Sequence, residues 1–82
     1  MELYDFNRYN MAHRAAAVWE KGHFLAVRQS GDCRICLYAM GKFFAEVWYQ
    51  TDNNQIELVR GFKSIACLQP YLELVDLSDI IS

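Results

Sequence analysis

Basic residues are few in this chain, and none follows Lys63. Eight Lys and Arg stand against ten Asp and Glu, a formal net charge of −2. That balance argues against non-specific nucleic-acid binding, which needs clustered cations to neutralise phosphates. No run approaches the ~20 consecutive apolar residues of a membrane-spanning helix. The first residues lack the basic stretch followed by an apolar one that marks a secretory signal. There is no glycine-rich phosphate loop, no H-E-x-x-H pair and no Ca²⁺-loop pattern. Repeats, linkers and low-complexity segments are also missing, so the sequence reads as one domain, residues 1–82. The three cysteines are an odd number without the spacing of a small disulfide-bonded domain. Reduced thiols in a cytoplasmic protein are the expectation.

What the chain does have is apolar side chains. The hydrophobic fraction is 54% and the aromatic fraction 15%, enough for a core in a domain of this size. Charge is uneven along it. Arg8, Arg14, Lys21 and Arg28 lie in the first third, while Glu73, Asp76 and Asp79 follow the last cation.

The densest apolar stretch is residues 34–62, where Tyr, Phe, Trp, Val and Ile crowd into three strand-like runs. Gly41 and Asp52-Asn53-Asn54 interrupt it, and such residues suit hairpin turns. An earlier strand over residues 23–29 precedes a turn at Ser30-Gly31-Asp32. Register follows from burying the apolar set. Three-residue loops at 30–32 and 40–42 and a two-residue loop at 53–54 pair Val27 with Ile35, Leu37 with Ala45, and Tyr49 with Leu58. They also pair Phe24 with Tyr38, Arg34 with Trp48, and Val47 with Arg60.

This register predicts one core face carrying Leu25, Val27, Ile35, Leu37, Phe43, Val47, Ile56, Leu58 and Phe62. A second, mixed face carries Phe24, Arg28, Arg34, Tyr38, Phe44, Glu46 and Trp48, together with Cys36, Glu57 and Val59.

Residues 1–9 show no clear period, with Tyr4 and Phe6 expected to tuck onto the fold. Asn10 is a good helix N-cap, Gly22 a natural terminator, and Lys21 sits where the helix dipole favours a cation. A helix over residues 11–21 follows, with Trp19 packing on the core face. Ser64 can cap a second helix with Ile65, Leu68, Leu72 and Val75 on one side. Pro70 kinks or splits it. Residues 77–82 form a tail in which Ile80 and Ile81 can dock. The fold class is α+β: a four-stranded antiparallel meander with an N-terminal and a C-terminal helix packed on one face.

Cys33 and Cys36 have the spacing of half a zinc site or a redox pair. Residues three apart on a strand point to opposite faces, no second such pair exists, and the motif opens no helix that would lower a thiol pKa. No metal and no cofactor are therefore expected. His13 and His23 are isolated, and no serine or acid pairs with either for catalysis, so no catalytic residue is assigned. The seven residues Phe24, Arg28, Arg34, Tyr38, Phe44, Glu46 and Trp48 form the candidate interaction face. Aromatics and Arg are enriched at interfaces, and monomers seldom expose a large apolar patch. The expected function is a non-enzymatic interaction module that binds a protein partner or itself as a homodimer, through this face or through a strand edge. The alternative is a small-ligand or nucleic-acid binder using Arg28, Arg34, Tyr38 and Trp48.

Two resemblances accompany these readings. Asp5-Phe6-Asn7, Val18-Trp19, Gly22-x-Phe24-Leu25, Leu37-Tyr38, Glu46-Val47-Trp48-Tyr49 and Pro70-Tyr71-Leu72-Glu73 make the chain resemble a group of small, uncharacterised bacterial single-domain proteins. That resemblance implies the α-β-β-β-β-α arrangement and no known activity. Residues 31–38, reading GDCRICLY, also look like the G-D-x-R-I-x-x-Y strand of RelE-like ribonuclease toxins. Those toxins are basic and end with catalytic Arg, His, Lys or Tyr residues. This chain is acidic and its C-terminal end has none of the cations, so no catalytic residue carries over.

Overall fold

The computed structural model describes residues 1–71. Two helices come first, α1 (Leu3–Arg8) and α2 (Met11–Lys21). Four strands follow, β1 (His23–Ser30), β2 (Cys33–Ala39), β3 (Phe44–Gln50) and β4 (Ile56–Phe62), then a 3₁₀ helix, Ile65–Tyr71. The strands form one antiparallel sheet in the order β1-β2-β3-β4. The α+β class, the meander and the helical elements at both ends are those the sequence predicts.

Helix α2 starts and stops where its caps require. The Asn10 side chain accepts a hydrogen bond from the His13 N–H at 2.8 Å, and the Gly22 N–H closes the other end on the Val18 carbonyl. Helix α1 is an addition, since residues 1–9 show no helical period. Only Phe6 is buried in it, and no side chain caps its start. Tyr4 does not tuck in; it is 70% exposed. Trp19 is 59% exposed, contrary to its expected place on the core. Ala15, Ala17 and Val18 are the residues α2 buries.

All three hairpins differ from the expected register by one residue. The first turn is two residues, 31–32, with Ser30 opposite Cys33 and Gly31 at φ +58°. A positive φ at the first loop position is what a type II′ turn demands. The second loop is four residues, 40–43, closed by the Met40 N–H on the Phe43 carbonyl at 2.8 Å, with Gly41 at φ +91°. The third spans 51–55, with Asn54 at φ 57° and its N–H on the Gln50 carbonyl. Val27 therefore lies opposite Cys36, Leu37 opposite Glu46, and Trp48 opposite Leu58, while Tyr49, past a bulge, lies opposite Ile56, two residues from its expected partner. Arg34 faces Tyr49, not Trp48, and Arg60 faces Glu46, not Val47. Phe24 does face Tyr38, because a bulge at Leu25 returns that end of β1 to the expected pairing. A second bulge sets Glu57 out of the ladder.

The shift matters because side chains alternate across a strand. Residues 36, 38, 45, 47 and 59 share one face, where Ala45, Val47 and Val59 pack with Phe6, Ala15, Ala17, Val18, Met40 and Phe43 under α1 and α2. Residues 26, 37, 44, 46 and 62 share the other, where Ala26, Leu37 and Phe62 pack with Leu68 and Tyr71 of the 3₁₀ helix. The helical elements thus cover both faces of the sheet rather than one. Ser64 accepts from the Ala66 N–H at 3.2 Å and opens the 3₁₀ helix, which includes Pro70. Leu68 is buried, while Ile65 is 64% exposed. Leu72, Val75, Ile80 and Ile81 lie outside the described residues.

Candidate functional site

Glu46 is the buried charged residue of the described core, 0% exposed on β3. Its neighbours come from three other elements. Arg60, directly opposite on β4, donates Nε to Oε1 at 2.5 Å. Tyr71, from the 3₁₀ helix, donates its hydroxyl to Oε2 at 2.5 Å. Trp48 Nε1 donates to Oε1 at 3.4 Å, a long bond. Arg28 reaches across β2 from β1, with Nη2 3.6 Å from Oε2. Its guanidinium also lies over the Trp48 ring at 5.7 Å and the Tyr71 ring at 5.2 Å. The Arg28 Nε is buried without an acceptor among the described residues.

Charge-assisted hydrogen bonds of this kind are the strong ones, and they explain how a carboxylate is tolerated under Leu68 and Tyr71. Burial and the bond to the Glu46 carboxylate push the Tyr71 phenol well above its ordinary value, against the pull of Arg28. Burial works against the Arg60 cation, but the Glu46 carboxylate outweighs it and the guanidinium is held above its usual value. Chemically this carboxylate is saturated with donors and closed to solvent. It joins β1, β3, β4 and the 3₁₀ helix.

The seven candidate interface residues do not share a face. Arg28, Phe44, Glu46 and Trp48 lie on the 3₁₀ side, and Phe24, Arg34 and Tyr38 lie on the α-helical side. Phe24 and Tyr38 meet edge to face at 5.8 Å between ring centroids. Arg34 bonds Asn54 at 3.0 Å and lies over Tyr49 at 5.8 Å. Phe44 stacks on Phe62. Arg60 and Tyr71 are missing from the sequence-based site. The signal for Arg60 was its position on a strand adjacent to Glu46, where opposite charges pair across a ladder. Nothing in the sequence points Tyr71 at the sheet.

Cys33 and Cys36 project to opposite faces, as the strand geometry requires. The Cys33 thiol donates to Glu57 at 2.8 Å, and that bond, aided by burial, raises its pKa. Burial raises that of Cys36, with Arg34 opposing. All three cysteines are free, and no group of three or more metal-ligating side chains occurs among the described residues. No described helix is long and apolar enough to cross a membrane.

The two sheet edges differ. At β4, Arg14 donates Nη1 to the Val59 carbonyl at 2.9 Å, and the Val59 N–H points at the Met11 sulfur at 3.4 Å. Arg14 is itself fixed by Nε on the Tyr9 carbonyl at 3.0 Å and Nη2 on the Asn7 carbonyl at 2.9 Å. Helix α2 thereby caps that edge at Val59. At β1, nothing among the described residues outside β2 bonds to the backbone. Phe24 is 57% exposed and Val27 43%, and exposed Trp19 stands in the helix turn leading into the strand.

The chain matches no family model, no curated protein and no solved structure.

Proposed function

We propose that the protein is a non-enzymatic interaction module that docks a protein partner by strand addition at β1. The observation that supports this reading is the contrast between the edges: β4 is capped at Val59 by Arg14 and Met11, while the β1 backbone has no such cap among the described residues and lies beside exposed Phe24 and Val27. An open edge is a template for another strand, with main-chain hydrogen bonds for affinity and alternate side chains for specificity. The Glu46 cluster is closed to solvent and serves the fold. A ligand or nucleic-acid surface built on Arg28, Arg34, Tyr38 and Trp48 has less support. Arg28 is committed to Glu46, Arg34 engages Asn54 and Tyr49, and the four residues divide between two faces.

The test is site-specific photocrosslinking in cells that make the protein. A benzophenone side chain at Val27 is expected to trap a protein partner, and one at exposed Asn53 is not. Equal trapping at both positions, or none at Val27, would refute the docking edge.

A further inference from the structure

Resting on the reading of β1 as a docking edge, we infer that its occupant is a second copy of this chain. The two β1 strands (His23–Ser30) pair antiparallel about a two-fold axis near Val27, joining two four-stranded sheets into one continuous sheet.

The charge on the edge favours a copy of itself. A two-fold interface brings each surface patch against the same patch, so any exposed charge on the strand would meet its like. β1 carries one formal charge, Arg28, and that guanidinium is turned inward to Glu46. Of the devices that protect edges against self-pairing, an exposed Lys and a Pro are missing from HFLAVRQS, and the bulge lies at Leu25, outside residues 26–30.

The edge is also long enough. Eight residues at ~3.3 Å each extend ~26 Å, most of the molecule's 31 Å longest dimension. The bulge at Leu25 leaves residues 26–30 as the regular stretch, and Val27 is the exposed apolar residue within it. At the axis Val27 meets Val27 of the second copy, an apolar β-branched pair of the kind that stabilises adjacent strands. Phe24, exposed on the same face, adds apolar surface beside it.

The experiment is sedimentation equilibrium of the full chain over a wide concentration range, with amide hydrogen exchange on the same samples. Wild type is expected to dimerise, with protection of residues 23–30 rising as the dimer fills. Val27→Lys sets two ammonium groups against each other and removes the apolar pair, weakening association by about tenfold or more. Val27→Thr keeps a β-branched strand residue and retains the dimer. The thermal midpoint and circular dichroism of dilute Val27→Lys report whether its fold is intact.

A dimer indifferent to Val27→Lys overturns the β1–β1 pairing and leaves the docking edge standing. So does a monomer at every concentration whose β1 amides exchange freely. A monomer whose β1 amides are protected as well as those of β3 overturns both the pairing and the open edge.

Discussion

Removing the Tyr71 hydroxyl isolates one bond of the buried cluster. Tyr71→Phe keeps the ring that packs beside Leu68 and lies under the Arg28 guanidinium, and deletes the donor 2.5 Å from Glu46 Oε2. A hydrogen bond to a charged acceptor contributes about 1.5–3 kcal/mol. The whole fold is expected to be stable by about 4–12 kcal/mol, from ~0.05–0.15 kcal/mol per residue. The loss is therefore a sizeable fraction. At about 4–8 °C per kcal/mol for a domain of this size, the thermal midpoint falls by roughly 6–24 °C. Glu46→Gln costs more, about 3–5 kcal/mol, because it leaves Arg28 and Arg60 without their counter-charge. The low end of that range applies, since the Arg60 side chain is 41% exposed and water screens it. Urea unfolding followed by tryptophan fluorescence measures both changes and their combination. The glutamine amide oxygen can still accept from the Tyr71 hydroxyl, but as a neutral bond of about 0.5–1.5 kcal/mol, so Tyr71→Phe in the Glu46→Gln background should cost about half or less of what it costs in wild type. Strict additivity, or a Tyr71→Phe change under about 0.5 kcal/mol, would refute the cluster as described.

The alkaline limb of stability should carry the same signature. Both Tyr71 and Tyr38 have phenols raised by burial, so above pH ~10, the ordinary tyrosine value, the unfolded chain has released protons that the folded one retains. Stability then falls as pH rises toward the folded values; tyrosinate absorbance at Tyr71 should appear together with unfolding, and its appearance in the intact fold would contradict the burial argument. Arg14→Lys cannot reproduce three guanidinium bonds to the carbonyls of Asn7, Tyr9 and Val59, and is expected to cost about 2 kcal/mol in the same urea assay. Gly61→Ala places a Cβ 2.6 Å from Leu3 Cδ1 and 3.0 Å from Phe6 Cδ2. It should destabilise by about 1–3 kcal/mol through overpacking, whereas Gly31→Ala meets no atom within 4 Å and costs only its positive φ.

Some of this structure was legible from residue types alone and some was not. Helix α2 was, because Asn10 and Gly22 bracket it with two independent cap signals. The strands were, because β-branched and aromatic runs end at Gly31, Gly41 and Asn53-Asn54. Helix α1 was not: six residues with one buried side chain carry too short a period to detect. Trp19 misled because size argues for burial, while the close approach of α2 to the sheet selects the small Ala15, Ala17 and Val18. Register failed for a more general reason. Pairing was chosen by collecting apolar residues on a single face, but both faces of this sheet are covered. Apolar alternation then distinguishes one register from its neighbour only weakly. The candidate interface was built on that register, so it divided when the strands shifted. Arg28, Glu46 and Trp48 stayed together, and Phe24, Arg34 and Tyr38 went to the other side.

The charged cluster supplies what the apolar pattern lacks. In the observed register Glu46 faces Arg60 across β3–β4 and reaches Arg28 over β2. Moving β3 by one residue turns every side chain to the opposite face, so Glu46 would enter the cluster of Phe6, Val18, Phe43 and Val59 under the helices. The cation beside that cluster, Arg14, is committed to the carbonyls of Asn7, Tyr9 and Val59, and desolvating an ionised carboxylate there costs several kcal/mol. Arg28 and Arg60 would lose their anion at the same time. Slipping the apolar residues alone exchanges one covered face for another and costs much less. The penalty for a wrong register therefore falls mainly on Glu46. Because Arg28, Glu46, Arg60 and Tyr71 come from four different elements, that penalty fixes β1, β3, β4 and the 3₁₀ helix relative to one another. It also turns the one charge of β1 inward. The edge that remains presents backbone beside uncharged exposed side chains, Phe24, Val27, Gln29 and Ser30 among them, and main-chain groups are what strand addition uses.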